Sequence, residues 1–230
     1  MIFEVVLETL DELKAVESFP VKRVELCAAL EVGGLTPSLR LAETVIQNSS
    51  KEIHVMLRIR AGDFDYSDRE IDVMIKDLED FARVGAKGVV FGFLSDNNVN
   101  ITASRKLIER ANFFGLETTF HRALDGCTDY LVGLEDVIEL GCTRILTSGG
   151  FANVSEGKEA LVKLENSVGS RIQVMPGGGV TPELARYFYE NNLNHLHFNI
   201  KKPIEVGNHT AFGNKYTIDV EKLTEICRLK

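Results

Sequence analysis

The chain has 230 residues, 44% of them hydrophobic and 26% charged, which is enough to bury a substantial core in one domain. Its 26 lysines and arginines against 34 aspartates and glutamates give a formal charge of −8, which repels a phosphodiester backbone and excludes nucleic acid as an expected partner. No run approaches the roughly 20 consecutive apolar residues that cross a bilayer. The first residues, MIFEVVLETLDELK, carry acids where a secretory leader carries bases, so a cytoplasmic chain without membrane contact is expected. Cys27, Cys127, Cys142 and Cys227 lie far apart without a CxxC pair, which points to reduced thiols rather than a zinc ribbon or a disulfide framework.

From the N-terminus onward, short β-branched or aromatic runs alternate with amphipathic stretches. The runs fall at residues 2–7, 23–27, 53–58, 88–91, 117–121, 143–146, 171–175 and 195–199. Eight strands alternating with helices close a TIM (β/α)8 barrel of the α/β class, and without a Pro- or Ser-rich linker residues 1–230 read as a single domain. Thr36-Pro37 and Thr181-Pro182 each place a capping hydroxyl before a proline, the signature of a helix start. Ser67-Asp68-Arg69-Glu70 reads as a capping box opening a helix to about Val84, with Ile71, Met74, Ile75, Leu78 and Phe81 on its sheet-facing side. Gly85, Gly115 and Gly141 each precede a new strand, as helix-ending glycines do. A doubly wound open sheet would place a Gly-rich turn after the first strand, and Glu8-Thr9-Leu10 stands there instead.

Side chains alternate faces along a strand, so each strand divides into a helix-facing and a barrel-facing set. Leu196 and Phe198 face helices, which leaves His195, His197 and Asn199 inward; Val24 and Leu26 likewise leave Glu25 and Cys27. The third strand places His54, Met56, Arg58 and Arg60 on one face, and Glu4, Val6, Thr119, His121, Gln173 and Met175 complete the inward set. Charges buried without partners cost several kcal/mol each, so these groups pair with one another or with a ligand. Either Glu4 and Glu25 form an internal ion-pair network with Arg58 that only closes the barrel, or the cluster is a site.

The active end of such a barrel is the carboxyl end of its strands. Met175-Pro176-Gly177-Gly178-Gly179 leads from the seventh strand into a helix start, which reads either as an anion site of backbone N–H groups or as a tight turn. Thr147-Ser148-Gly149-Gly150 after the sixth strand adds donors. After the fifth, His121, Arg122 and Asp125 bring a titratable ring, a cation and a carboxylate together. His121 is a candidate general acid or base, and Asp125 is equally a helix cap paired with Arg122. The long final connection, residues 200–218, carries Lys201, Lys202, His209 and Lys215 and reads as a lid or an oligomer contact.

The segments RVELC (residues 23–27), GGLTPS (33–38), MLRIR (56–60), GDFDYSDREI (62–71), VFG (90–92), TFHRA (119–123), RILTSG (144–149) and VMPGGG (174–179) follow one another in an order that resembles the CutC family, known as copper homeostasis proteins. The resemblance runs from Glu4 to about His197, and its GDFDYSDREI run is highly specific. It implies a TIM barrel, a cytoplasmic location, a homo-oligomer (dimer or tetramer), and intracellular copper handling through Cu(I), with Cys27 as a metal ligand. Val6 and Asn199 stand where the family carries further thiols. Cys27 itself reads equally as a small buried hydrophobe.

Two functions follow, with copper or a small anion as the expected partner. One is Cu(I) handling through Cys27. The other is an enzyme for a small anionic metabolite, phosphorylated or not. In it, Arg58, Arg60 and the backbone of Gly177, Gly178 and Gly179 hold the anion, Glu25 and His121 move protons, and His197 with Asn199 positions the substrate; Asp63, Arg122, Asp125 and Ser148 converge on the same rim. A third reading treats the chain as an oligomeric scaffold whose polar interior is only a salt network.

Overall fold

The computed structural model describes residues 1–204 and 216–229. Eight parallel strands are present: β1 Ile2–Leu7, β2 Arg23–Leu26, β3 Glu52–Met56, β4 Gly88–Phe91, β5 Glu117–Phe120, β6 Arg144–Thr147, β7 Gln173–Pro176 and β8 His195–Asn199. They are hydrogen-bonded in the order β8-β1-β2-β3-β4-β5-β6-β7, and β7 adjoins β8 across the remaining seam without a ladder. The result is a nearly closed (β/α)8 barrel. Its described helices are α1 Leu10–Val16, α2 Leu39–Gln47, α3 Asp68–Val84, α4 Ile101–Phe113, α5 Tyr130–Glu139, α6 Val154–Val168, α7 Pro182–Glu190 and α8 Val220–Cys227.

Sequence chemistry explains most boundaries. The Ser67 hydroxyl accepts from the Glu70 N–H while the Glu70 carboxylate accepts from Ser67, and Gly85 ends α3 with φ +103°. A good cap contributes about 1 kcal/mol. The apolar stripe of α3 is buried from Ile71 to Phe81, as its spacing predicts. Thr181 caps α7 with Pro182 in the first turn. Thr36 behaves differently from expectation. Ser38 caps α2, and the Thr36 hydroxyl accepts from the Arg58 N–H at 2.8 Å, tying two loops together instead.

Three strands end earlier than their β-branched pattern predicts, and these ends place the site. Cys27, Leu57 and His121 still donate their N–H groups to Leu7, Val90 and Phe91 of the neighbouring strands. The Arg58 carbonyl then accepts from Thr36 and the His121 carbonyl from Leu124, so both carbonyls leave the ladder. Cys27, Arg58 and His121 therefore stand just past the strand ends, at the barrel mouth. The seventh strand begins at Gln173 rather than 171 because residues Gly169–Arg171 form a 3-10 turn. The expected lid or oligomer contact over 200–218 is described only at its ends, a short ribbon pairing Lys201–Pro203 with Tyr216–Ile218. His209 and Lys215 lie outside the described residues.

Outward-facing Val5, Leu7, Val24, Leu26, Val55, Val89, Phe91, Phe120, Ile145, Val174, Leu196 and Phe198 join the helices in one continuous apolar core. Inside the barrel the lower layers are charged but paired. Arg23 Nε donates to Glu4 at 2.8 Å with both side chains buried, and Arg144 donates to Glu117 at 2.6 Å, Thr119 at 3.1 Å and Gln173 at 3.0 Å. The internal network is thus real, but its cations are Arg23 and Arg144. Arg58 pairs with neither Glu4 nor Glu25; its guanidinium donates to the carbonyls of Val32, Gly34 and Gly62. His54 lies flat over Gly88, where any Cβ would come within 2.5 Å of the ring, and burial with the nearby Arg144 and Arg23 charges lowers its pKa to about 4. It is neutral at physiological pH.

Candidate functional site

Above the paired charges the interior opens into a cavity of about 210 Å³ at the carboxyl ends of the strands. Its floor is apolar, formed by Val6, Cys27 and Met56, which pack with Val90 in a small cluster separate from the main core. Its wall holds Glu25, Arg58, Phe64, His121, Arg122, Leu146, Gly178, Gly179, Val180, His197, Asn199 and Lys222. Nine of the sequence-derived candidates therefore meet here: Glu25, Cys27, Arg58, His121, Arg122, Gly178, Gly179, His197 and Asn199.

One side of the cavity is a carboxylate–imidazole relay. His197 Nδ1 lies 2.9 Å from Glu4 Oε1 and 3.4 Å from Glu25 Oε2, and the Cys27 thiol donates to Glu25 Oε1 at 3.5 Å. Burial by itself raises the Glu4 pKa, yet the His197 hydrogen bond and the Arg23 charge outweigh it and hold the carboxylate ionised. Glu25 has no such arginine; burial and the repulsion of Glu4 raise it to about 7. Burial opposes protonation of His197, but its bond to Glu4 and the charge of Glu25 prevail and raise its pKa. The Cys27 thiol, buried and facing Glu25, is pushed well above the usual range and keeps its proton. Glu4, Glu25 and His197 have ligand atoms within 4.8 Å of one another, a density that suits a cation, but Arg23 and the His197 proton already balance their charge.

Another part of the lining is a pair of fixed donors, His121 and Arg58. His121 Nδ1 accepts from the Ala123 N–H at 3.1 Å, so the neutral ring carries its proton on Nε2. Burial and the Arg58 charge lower its pKa to about 3, which keeps it neutral. The ring lies against Gly92, where a Cβ would sit 2.5 Å from it, and against Phe64 at 4.8 Å between centroids. Arg58 stacks on the same Phe64 ring at 5.0 Å. The acid–base expectation for His121 is thereby narrowed to a hydrogen-bond donor.

The third side is cationic. Arg122 donates from Nε to Asp125 at 2.9 Å and from Nη2 to the Ser148 hydroxyl at 2.9 Å and the Ala152 carbonyl at 2.8 Å. Its Nη1 is turned to Gly178, where a Cβ would come within 2.5 Å. Gly178 and Gly179 take φ +104° and +87° ahead of α7, a backbone that only glycine adopts without strain. Lys222, from α8, reaches the rim and donates to Asn199 at 3.4 Å; burial lowers its pKa.

The remaining candidates support this wall from behind. Asp125 accepts from the Thr147 hydroxyl at 2.6 Å, from the Ser148 N–H at 3.0 Å and hydroxyl at 2.9 Å, and from the Gly150 N–H at 3.0 Å, so it and Ser148 clamp the β6 loop under Arg122. Arg60 lies outside the cavity. It pairs with Glu70 at 2.7 Å and Asp63 at 2.9 Å, over Tyr66, and fixes the loop that presents Phe64. Gly177 packs beneath Leu146 and His197 and does not line the cavity. Sequence reading missed Phe64 and Lys222 on the wall and Arg23 and Arg144 beneath it.

Fold and site define a (β/α)8-barrel protein with a charged pocket at the carboxyl ends of its strands. The CutC family profile matches residues 1–202, and the chain belongs to that family. A CutC family protein of Glaesserella parasuis is 40% identical over 199 residues, covering 86% of this chain and 82% of its own. One from Vibrio vulnificus is 41% identical over 180 residues, 78% and 72% of the two chains. A crystal structure of a putative copper homeostasis protein CutC from Streptococcus agalactiae superposes with a TM-score of 0.79 at 29% identity, covering 86% of this chain and 97% of that one. Among the described residues no helix is long and apolar enough to cross a membrane.

Proposed function

We propose that the protein is an enzyme acting on a small anionic metabolite in the barrel-mouth cavity. The observation that carries this reading is the convergence, on one cavity, of the Glu25–His197 pair, the neutral His121 donor and the cations Arg58 and Arg122. The Arg23–Glu4 and Arg144–Glu117 ion pairs lie lower, and only His197 touches them, so stability alone does not account for Glu25, His121, Arg58 and Arg122. The anion sits against Arg122 and the Gly178–Gly179 backbone at the start of α7, where the helix dipole favours negative charge. Inorganic phosphate at ten times its dissociation constant is expected to raise Tm by about 3–6 °C. Arg122→Gln is expected to abolish that shift. A Tm indifferent to phosphate and to small carboxylates removes the reading.

A second reading, Cu(I) handling, is favoured by one observation. The Cys27 sulfur and the Met56 terminal methyl lie 3.2 and 3.5 Å from the same point above Gly34, which brings a thiol and a thioether side chain together on the cavity floor. Soft Cu(I) prefers such donors. The surrounding Glu4, Glu25 and His197 are harder, and Cys127, Cys142 and Cys227 do not line the cavity, so the donor set fits Cu(I) less well than the anion. An anaerobic competition titration separates the readings: tight binding of one Cu(I) per chain, lost in Cys27→Ser, supports copper, whereas weak or Cys27-independent binding removes Cys27 from any metal role.

A further inference from the structure

Two buried N–H groups on the cavity wall have no partner among the described residues: Arg58 Nε and His121 Nε2. Both side chains are more than nine-tenths buried, both line the same cavity, and both rest on the Phe64 ring. Arg58 is held by three backbone carbonyls on its other nitrogens, with the Tyr66 hydroxyl beside its side chain, and His121 by the Ala123 N–H on Nδ1, so both groups are fixed in place. A buried donor left unmatched costs about 1–3 kcal/mol. Fixed donors of that kind are the machinery for stabilising negative charge that develops on an oxygen.

In the same cavity the Glu25 carboxyl is held by one long contact to His197 and one weak thiol hydrogen bond from Cys27, which leaves oxygen lone pairs free to take up a proton. A carboxylate that shares a cavity with fixed N–H donors can remove a proton beside a carbonyl group whose oxygen those donors hold. The cationic corner of Arg122, Gly178 and Lys222 lines the same cavity and suits an anionic tail. The apolar floor of Val6, Cys27 and Met56 offers no further polar partner for the carbon skeleton.

Resting on the enzyme reading above, we infer that the protein enolises a small hydroxy-carbonyl compound with an anionic tail, the carbonyl oxygen lying between Arg58 Nε and His121 Nε2 and Glu25 exchanging the proton of the neighbouring carbon. Glu25 takes that proton, the C–H electron pair becomes the C=C bond, and the C=O pair moves onto the oxygen held by the two N–H groups. Return of the proton to the same carbon gives exchange with solvent. When the hydroxyl proton passes to the former carbonyl oxygen and Glu25 delivers its proton to that former carbonyl carbon, the carbonyl shifts by one position. Nothing is oxidised or reduced overall, and no co-reactant is consumed. Phosphate and carboxylate tails share the chemistry that the cationic corner recognises.

The test uses dihydroxyacetone phosphate and hydroxypyruvate, one for each tail, with the intact protein in D2O. Thermal shift reads binding, and proton NMR reads loss of the C–H signal beside the carbonyl. At least one compound is expected to raise Tm and to exchange faster with protein than in buffer. Glu25→Gln is expected to keep the thermal shift and to lose exchange by about 100-fold or more. His121→Phe, which keeps a ring against Gly92 and removes Nε2–H, is expected to lose roughly 100- to 1,000-fold. A compound that binds without exchange above buffer overturns the enolisation and leaves the anion site standing. Exchange that survives in both variants overturns the residue roles, and if neither compound nor inorganic phosphate shifts Tm the enzyme reading and this inference fall together.

Discussion

Arg23→Met is expected to destabilise the protein by about 3–5 kcal/mol, because it strands the Glu4 carboxylate in the barrel interior. Glu4 is fully buried, Arg23 is 2% exposed at the side chain, and their 2.8 Å contact is the only arginine bond Glu4 has among the described residues. His197 keeps its own bond to Glu4, which limits the loss. Removing both charges, as Arg23→Met with Glu4→Gln, is expected to recover most of the stability, since a buried pair replaced by neutral groups is often near neutral. Urea unfolding of the two variants and the wild type decides it. A single variant within about 1 kcal/mol of wild type would mean that water reaches Glu4 and that the interior is wetter than its packing indicates. Should Arg23→Met fail to fold, the recovery by the double variant remains the deciding comparison.

That ion pair also shows where sequence reading stopped short. The alternation that turns Glu25 and Cys27 inward turns Arg23 inward too, and the ladder sets Arg23 opposite Glu4. The pairing was therefore legible in the period-two pattern, but Arg23 sits at a strand's first residue, where boundaries are least certain. Arg144 was legible in the same way, opposite Thr119 and Gln173. Arg60 is the opposite case. Extending alternation past Met56, where β3 ends, assigned it to an interior that the chain has already left. Alternation is a property of the ladder and lapses when the Arg58 carbonyl turns to Thr36.

The barrel itself was written in local chemistry: eight β-branched runs, the Ser67 capping box and the Thr181-Pro182 helix start need no distant contact to be recognised. The site was legible where its residues lie on a strand, as Glu25 does, or closely follow one, as Cys27, Arg58, His121 and Gly178 do. Phe64 and Lys222 were not. Phe64 reaches the wall because Arg60, Asp63 and Glu70 fold its loop inward, and Lys222 arrives from the last described helix. Neither carries a periodic signal, since loop closure and helix docking are long-range events. The tautomer of His121 depended on the Ala123 N–H, a bond no side-chain pattern announces.

Acid is expected to weaken this barrel before most of its carboxylates are titrated. His54 and His121 have folded pKa values of about 4 and about 3, below the ordinary 6.5 that they regain on unfolding. A depressed histidine contributes stability that is present above pH 6.5 and lost as pH falls toward the folded value, because only the unfolded ring takes up the proton. Glu25 acts in the other direction, since its folded value of about 7 exceeds the ordinary 4.5 and the folded state keeps a proton that the unfolded chain releases. Two protons against one leave about one taken up on unfolding between pH 6.5 and 4.5, a slope of about 1.4 kcal/mol per pH unit. His197, raised, is protonated in both states below pH 6.5 and drops out of that window, while partly buried His195, lowered to about 4 by burial and the Arg23 charge, adds up to one further proton to the acid loss. At least roughly 3 kcal/mol should therefore be lost across those two pH units, read as a falling urea midpoint. His121→Phe removes one of the two histidines and is expected to flatten the profile over the same range. A wild-type midpoint that holds steady or rises on acidification to pH 4.5 would show that the rings are solvated in the folded state, and the fixed Nε2–H of His121 would then lose its physical basis.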